Sequence, residues 1–345
     1  MMQFHFETFR IECTHPFGIS RSSHDYYDIV YVYLEHEGLL GRGEAAPSRR
    51  YNESTDRILS LLEKGIDIPG QLDDPALFSR QLSSQCDKIK ALEVAFSMAT
   101  LDLWCQIHQQ PLYKYFNADP TQTPLTSFTI SIGDMDLLPK KIEDAKPYHI
   151  LKVKLGLSLE HDKSIIQAIR KETDKVIRID ANEGWDLASG IEMSYWLADH
   201  NVEFIEQPFK SSNLTDTAEL RSKSPLPIIA DENSLNSKDI PQIDGVFDGI
   251  NIKLMKCGSL FEAIKMVEMA REREMKIMLG CMIESSVAIT AAAHLSPLVD
   301  YADLDGNLLI SNDPYVGVKV EDGKLILPNS NGMGVSLDKS NSNLK

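Results

Sequence analysis

Two hydropathy rhythms divide the chain. Up to about residue 120, apolar and polar residues alternate with period two through FHFETFRIE and DIVYVYLEHEG, the signature of half-buried strands, and GLLGRGEAAP follows with turn glycines. Helical periodicity comes next in STDRILSLLEKGI, with Ser54 as its cap, and in KIKALEVAFSMATLDLWCQIH, where Leu92, Phe96 and Leu103 fall near one face. This part reads as a small α+β unit. From about residue 126 short β-branched runs recur instead, starting at 128, 149, 176, 203, 227, 249, 276 and 301, with helical stretches between them. Intervals of 21 to 27 residues suit a strand, a helix and two loops, and parallel units of this kind bring every strand's C-terminal end to one mouth. Eight of them predict a (β/α)-barrel. An open doubly wound sheet is the alternative, weakened because no glycine-rich dinucleotide fingerprint follows the first strand. The tail, EDGKLILPNSNGMGVSLDKSNSNLK, carries Gly/Asn turns and is expected to return to the first unit.

The ends of these runs carry the candidate chemistry. VIRIDAN, EFIEQP and PIIADE place Asp180, Glu206 and Asp231 at spacings of 26 and 25 residues, one carboxylate per strand end. A lone acid there would be a solvated loop charge or a helix cap. Three in register, with no histidine or cysteine beside them, are the oxygen donors of a hard cation, Mg²⁺ first and Mn²⁺ second. Extended backward, the comb meets Lys152 and Lys154 in ILKVKLG; extended forward, it meets Lys253 in INIKLMK. Residues two apart share a strand face, so Lys152 and Lys154 point together into the barrel, and neighbouring ammoniums beside a cation should lower one another's pKa. Lys154 and Lys253 would then face each other as acid/base groups, whereas on an exposed edge they would be ordinary solvated charge. Lys256, odd-spaced from Lys253, is expected to face outward or into the loop. Asn182, two beyond Asp180, shares its face.

Composition narrows the partners. A net charge of −16 with no Lys/Arg cluster argues against nucleic acid or an anionic membrane surface. The five cysteines are odd in number and lack CxxC spacing, as expected of a reducing, cytoplasmic setting. No stretch of 18 uncharged apolar residues or signal-peptide pattern is present in the sequence.

The set LKVKLG, RIDANEGW, IEQP, ADEN, INIKLMKCG and GCMIESS resembles the enolase superfamily, specifically its muconate-lactonizing-enzyme subgroup, through nearly the whole chain. The resemblance implies α/β architecture: a modified (β/α)₇β TIM-like barrel over 123–315 and an α+β capping domain over 1–122, completed by 316–345. It implies Mg²⁺ on Asp180, Glu206 and Asp231, Lys154 and Lys253 as the acid/base pair, and Lys152 at the substrate carboxylate. A lysine base with Mg²⁺, acting on a proton α to a carboxylate, is general to that superfamily.

The eighth strand selects among reactions. YADLDGNLLI carries Asp303 and Asp305 two apart, a pair suited to a ligand's ammonium group, with a turn or cap pair as the plain alternative. The pair is similar to the dipeptide-epimerase signature that receives the substrate's N-terminal amine; by the same similarity Thr129, Cys281 and Ile283 would line the dipeptide site. The loop HPFGISRSSHDYYD resembles the segment that reads the second side chain. Where relatives acting on Ala-Glu carry an arginine, this sequence has Ser22, with Arg21 one residue away and Tyr26 and Tyr27 offering apolar surface. Arg49 and Arg50 are further anion partners, or solvated loop charges. The expected activity is Mg²⁺-dependent epimerisation of L-Ala-Xaa dipeptides at the C-terminal residue, with Xaa small or hydrophobic. Alternatives are o-succinylbenzoate synthase, N-acylamino-acid racemase, or a non-catalytic barrel that binds metal or peptide. Self-association into a homo-oligomer is left open.

Overall fold

A computed structural model describes residues 2–19, 22–133 and 135–339. An antiparallel sheet in the order β1 (Gln3–Ile19), β2 (Ser22–His36), β3 (Leu39–Ala45) opens the chain. Glu37 and Gly38 join β2 to β3 with φ of 50° and 78°, the two positive values that a two-residue hairpin matched to strand twist requires. Helix α1 (Thr55–Leu62) starts where the Ser54 side chain accepts from Arg57 N–H, and α2 (Pro75–Ser83) starts where Asp74 accepts from the Ala76 and Leu77 amides. Both caps satisfy N–H groups that have no partner within the helix.

Helix α3 (Lys90–Ile107) is apolar on nearly all sides because it is packed on nearly all sides. It lies so close to β3 that a Cβ at Gly41 would stand 2.1 Å from Ala99 O and one at Gly43 1.8 Å from Ala95 O. Those two positions therefore exclude any side chain. On its other side the Ser97 hydroxyl accepts from Leu260 N–H of the barrel at 3.2 Å.

Eight parallel strands follow in sequential order: β4 (Ser127–Ile130), β5 (Ile150–Lys154), β6 (Val176–Asp180), β7 (Val202–Glu206), β8 (Ile228–Ala230), β9 (Gly249–Lys253), β10 (Lys276–Gly280) and β11 (Tyr301–Asp303). Their starts fall within one residue of those expected from hydropathy. The sheet curls into a nearly closed barrel, joined from last strand to first by a bridge between Thr126 and Ala302 and by Leu304 N–H donating to Thr126 Oγ1 at 2.8 Å. Inside, Phe204, Ile229 and Met278 form a core of their own with Tyr301 against it. Beside them the buried Arg178 is held by Glu203 at 2.8 Å and by Ala302 O at 2.7 Å, its guanidinium over the Phe204 and Tyr301 rings. The tail runs back along the first unit: Met333 N–H donates to Asp102 of α3 at 2.7 Å, and Tyr315 meets Tyr33 of β2 hydroxyl to hydroxyl at 2.7 Å. No helix among the described residues is long and apolar enough to cross a membrane.

A buried carboxyl joins the two units. Glu44 of β3 accepts from Ser285 N–H at 2.9 Å, from the Ser285 hydroxyl at 2.5 Å and from Ala288 N–H at 3.1 Å, at the start of the helix Ser286–Ala293. Burial first, and the nearby Glu284 second, push its pKa up to about 8. A carboxyl whose folded pKa exceeds its unfolded value contributes stability at low pH, and that contribution is lost as pH rises toward the folded value. The melting temperature of Glu44→Gln relative to the parent should therefore become more favourable between about pH 5 and about pH 9. Calorimetry showing the opposite trend would contradict this account of the joint.

Candidate active site

The strand register sets the site in one layer. Lys154 of β5 pairs with Asp180 of β6, which pairs with Glu206 of β7; across the barrel, Lys253 of β9 pairs with Gly280 of β10, which pairs with Asp303 of β11. Asp231 is the first residue beyond β8. Seven side chains from six strands thus point into one mouth, where Asp180, Glu206, Asp231, Lys152, Lys154, Lys253 and Asp303 are all buried.

Ligating oxygens of Asp180, Glu206 and Asp231 lie within 4.8 Å of one another. Each is held by a neighbour that fixes its direction. Lys154 Nζ stands 2.7 Å from Asp180 Oδ2, and Asn182 N–H donates to Asp180 Oδ1 at 2.9 Å. Lys253 Nζ stands 2.7 Å from Asp231 Oδ2. Asn251 donates to Glu206 Oε1 at 2.7 Å, and it fits because Gly280 has no Cβ, which would lie 2.6 Å from the Asn251 amide oxygen. Lys152 reaches Glu206 at 2.8 Å and Asp303 at 2.6 Å. Three carboxylate donors converging on a point lined by ammoniums are a fit for a hard divalent cation.

One expectation is corrected. Lys256 does not face outward: it is buried, and its ammonium donates to Asp231 Oδ1, to Asp231 O at 2.7 Å and to Asn251 O at 3.0 Å. The chain leaves β9 directly into a helical turn, Leu254–Cys257, so the period of two that sends residue 256 outward no longer applies. Lys152 and Lys253 repel each other's charge, as expected, but without a cation the surrounding acids outweigh that repulsion. Burial and Lys152 push the Lys253 pKa down, yet Asp231, Glu206 and Asp180 outweigh them and it is raised. Lys152 is likewise raised, burial being overcome by Asp303, Glu206 and Asp180. The acids differ: burial disfavours the Asp231 carboxylate, but Lys253 and Lys256 hold its pKa well below the usual range, whereas burial and then the Asp180 charge raise that of Glu206.

The eighth-strand acids have unequal surroundings. Asp303 accepts from Ser127 Oγ at 2.5 Å as well as from Lys152, and its pKa is lowered against burial. Asp305 accepts from Thr129 N–H at 2.6 Å. Burial first, then the Asp303 charge, raise it to about 7. Cys281 Sγ lies 3.2 Å from Asp303 O, and Ile283 is buried next in the same loop.

The segment expected as a loop is instead mostly strand, the paired ends of β1 and β2: Ser22 is exposed, and Tyr26 is 47% exposed with the Arg10 guanidinium 3.9 Å from its ring centre. Arg21 lies outside the described residues. The end of β1 meets the barrel where Ile132 N–H donates to Gly18 O at 2.9 Å. Arg50 is committed to Glu183 at 2.8 Å. Sequence reasoning missed Asn251, Ser127 and Tyr51; burial first and then the charge of Asp231 raise the Tyr51 hydroxyl's pKa, which places it near the site. For Asn251 a signal existed, since it stands two residues before Lys253.

A parallel barrel with acids and lysines at its C-terminal mouth, beneath an antiparallel cap sheet, defines an enolase-type barrel protein. Residues 138–341 match the family model described as enolase C-terminal domain-like. The chain is 39% identical to the L-Ala-D/L-Glu epimerase of Bacteroides thetaiotaomicron over 97% of its own length and 88% of that protein's. It is 36% identical to the L-Ala-D/L-amino acid epimerase of Flavobacterium johnsoniae, over 95% of this chain and 98% of the other. It superposes with a TM-score of 0.91 at 27% identity on the dipeptide epimerase of Cytophaga hutchinsonii complexed with Mg and D-Ala-L-Val, covering 99% of this chain and 97% of that one. The chain belongs to the enolase superfamily, in its muconate-lactonizing-enzyme subgroup.

If the three acids hold a cation together, each is needed. Isothermal titration should show Mg²⁺ binding to the parent protein, weakened at least about tenfold by each of Asp180→Asn, Glu206→Gln and Asp231→Asn. Binding unchanged in any of the three would remove that residue from the set.

Proposed function

We propose that this protein is a Mg²⁺-dependent dipeptide epimerase that inverts the α-carbon of the C-terminal residue in L-Ala-Xaa dipeptides. The observation that carries the reading is the pairing of two buried lysines on strands β5 and β9, four strands apart in an eight-stranded barrel, with two buried acids, Asp303 at the end of β11 and Asp305 just beyond it. Facing bases suit removal of a proton from one side of a carbon and its return from the other. Two carboxylates at a distance from those bases suit a free ammonium group, which an N-acylated amino acid or a succinylbenzoate precursor lacks. The names of the relatives support the same choice.

In this reading the substrate's ammonium lies against Asp303 and Asp305, with Thr129, Cys281 and Ile283 along the peptide. Lys154 or Lys253 accepts the α-proton, according to the stereoisomer bound, and the other lysine donates a proton to the opposite face. Lys152, already between Glu206 and Asp303, offers its charge to the substrate carboxylate as negative charge develops there. Held by Asp180, Glu206 and Asp231, Mg²⁺ would supply Lewis-acid polarisation of that carboxylate and a positive charge that favours a neutral lysine base; Mn²⁺ is a substitute by the same donor logic. The segment with Arg21, Ser22 and Tyr26 would cover the second side chain and favour small or hydrophobic ones. The proposal extends to the division of the chain, with 1–122 and 316–345 as the cap and 123–315 as the barrel, and to a cytoplasmic setting, supported by five unpaired cysteines.

Lys154→Ala and Lys253→Ala should each lower epimerisation of L-Ala-Xaa dipeptides by roughly 10³-fold or more while leaving the fold intact by circular dichroism. Chiral chromatography of the products checks it. Full turnover by either variant would end the two-base scheme.

A further inference from the structure

The two lysines of the proposed exchange stand on different supports. Past Lys253 the chain turns at once into Leu254–Cys257, which packs on α3 of the first unit, and Met255 Sδ accepts from Ala46 N–H at 3.4 Å. Past Lys154 it enters a turn over 155–158 that leads to the helix Leu159–Glu172. That turn is held by one carboxylate. Asp162, in the first turn of the helix, is fully buried. Its two oxygens accept from Gly156 N–H at 3.1 and 3.0 Å, and Oδ1 accepts from Leu157 N–H at 3.4 Å. Oδ2 also accepts from Trp185 Nε1 at 2.8 Å, a donor from the turn after Asp180. The His161 ring nitrogen lies 3.7 Å from Oδ1.

The clamp closes two turns on each other. Gly156 has a φ of 107°, which favours glycine, and a Cβ there would lie 2.3 Å from Ala181 O. A Cβ at Gly184 would lie 2.3 Å from Gly156 O. The two backbones therefore touch with no room for a side chain, and Leu155 N–H donates across them to Asp180 O at 2.8 Å. Lys154 and Asp180 are the residues from which these turns depart, and their side chains meet at 2.7 Å. Burying a carboxylate is costly, and this one does more than cap a helix. Ser158 already supplies the cap, its hydroxyl accepting from His161 N–H at 3.3 Å.

We infer that Asp162 is a positioning residue for Lys154: by tying the turn after β5 to the turn after β6, its carboxylate sets the line along which the lysine reaches the reacting carbon. The inference rests on the two-base epimerase reading and deepens it, giving each base its own support. Lys253 lies across the barrel on the support shared with α3, so a change at Asp162 reaches one face of the substrate carbon and not the other. An acid that only stabilised the fold would serve both faces alike.

The test is α-proton exchange in D₂O with Mg²⁺, followed by ¹H NMR on L-Ala-L-Met and L-Ala-D-Met separately. Lys154→Ala and Lys253→Ala assign each epimer to the lysine that its proton faces. Asp162→Asn keeps the side-chain size but replaces one accepting oxygen by an N–H donor. It should slow exchange of the epimer assigned to Lys154 by on the order of 10²-fold, the loss lying in kcat and not in KM. Exchange of the other epimer should stay within about threefold of the parent and run ahead of inversion, which also shows that the protein is folded. Trp185→Phe removes one donor to Asp162 and keeps an aromatic ring. It should bias exchange in the same direction by about threefold or more, and it carries the test if Asp162→Asn does not fold. Equal losses on both epimers, or an unbiased ratio in a folded variant, would overturn the positioning role alone. A parent that exchanges neither epimer, or lysine variants that do not separate the two, would remove the two-base reading and the inference with it.

Discussion

Charge balance inside the barrel mouth is the constraint on which the site depends. Lys152, Lys154, Lys253 and Lys256 are buried among Asp180, Glu206, Asp231 and Asp303, four ammoniums against four carboxylates, with Asp305 raised to about 7 beside them. Each charge is tolerable only because its neighbours are within hydrogen-bond reach, and removal of one leaves its partner uncompensated at a cost of about 3–5 kcal/mol. The balance is also a poised one. A divalent cation held by Asp180, Glu206 and Asp231 would make this balanced cluster positive and would favour loss of a proton from a lysine.

The barrel positions this lattice, and the first unit fixes its rim. Glycines at 41 and 43 let α3 press on β3, which carries Glu44 to the start of the helix that follows the Cys281 loop. Arg50 reaches Glu183 just beyond the Asp180 strand. The first unit is therefore bound to two of the loops that surround the mouth. Asp303 and Asp305 have a double duty: through Ser127 and Thr129 they join the last strand to the first, so the proposed ammonium site also helps close the barrel.

Much of this was legible in the sequence because strand ends obey simple arithmetic. Apolar runs at a βα interval located all eight strands, and inward alternation located Lys152, Lys154 and Lys253. What was missed lies where that arithmetic stops. Lys256 follows a switch from strand to helix, so its side chain returns to the interior at a spacing that a strand would send outward. Asn251 was on the right face, but its use depends on the missing Cβ of Gly280 in the next strand, a contact between residues 29 positions apart that no local pattern displays. Asp162 stands in the first turn of a helix, where an acid is ordinary; only the packing shows that its donors come from the turns after Lys154 and Asp180. The lysine pKa directions needed the count of surrounding acids, which spacing supplies for some of them and geometry for the rest.

The central claim is that two lysines on opposite faces of one carbon exchange its proton. The most direct measurement is ¹H NMR of an L-Ala-L-Xaa dipeptide turned over in D₂O with Mg²⁺ and stopped early. Two-base exchange predicts deuterium at the α-carbon of the inverted C-terminal residue from the first product formed, while the remaining substrate keeps its proton and the N-terminal alanine is untouched. Inverted product that retains the original proton would contradict the account.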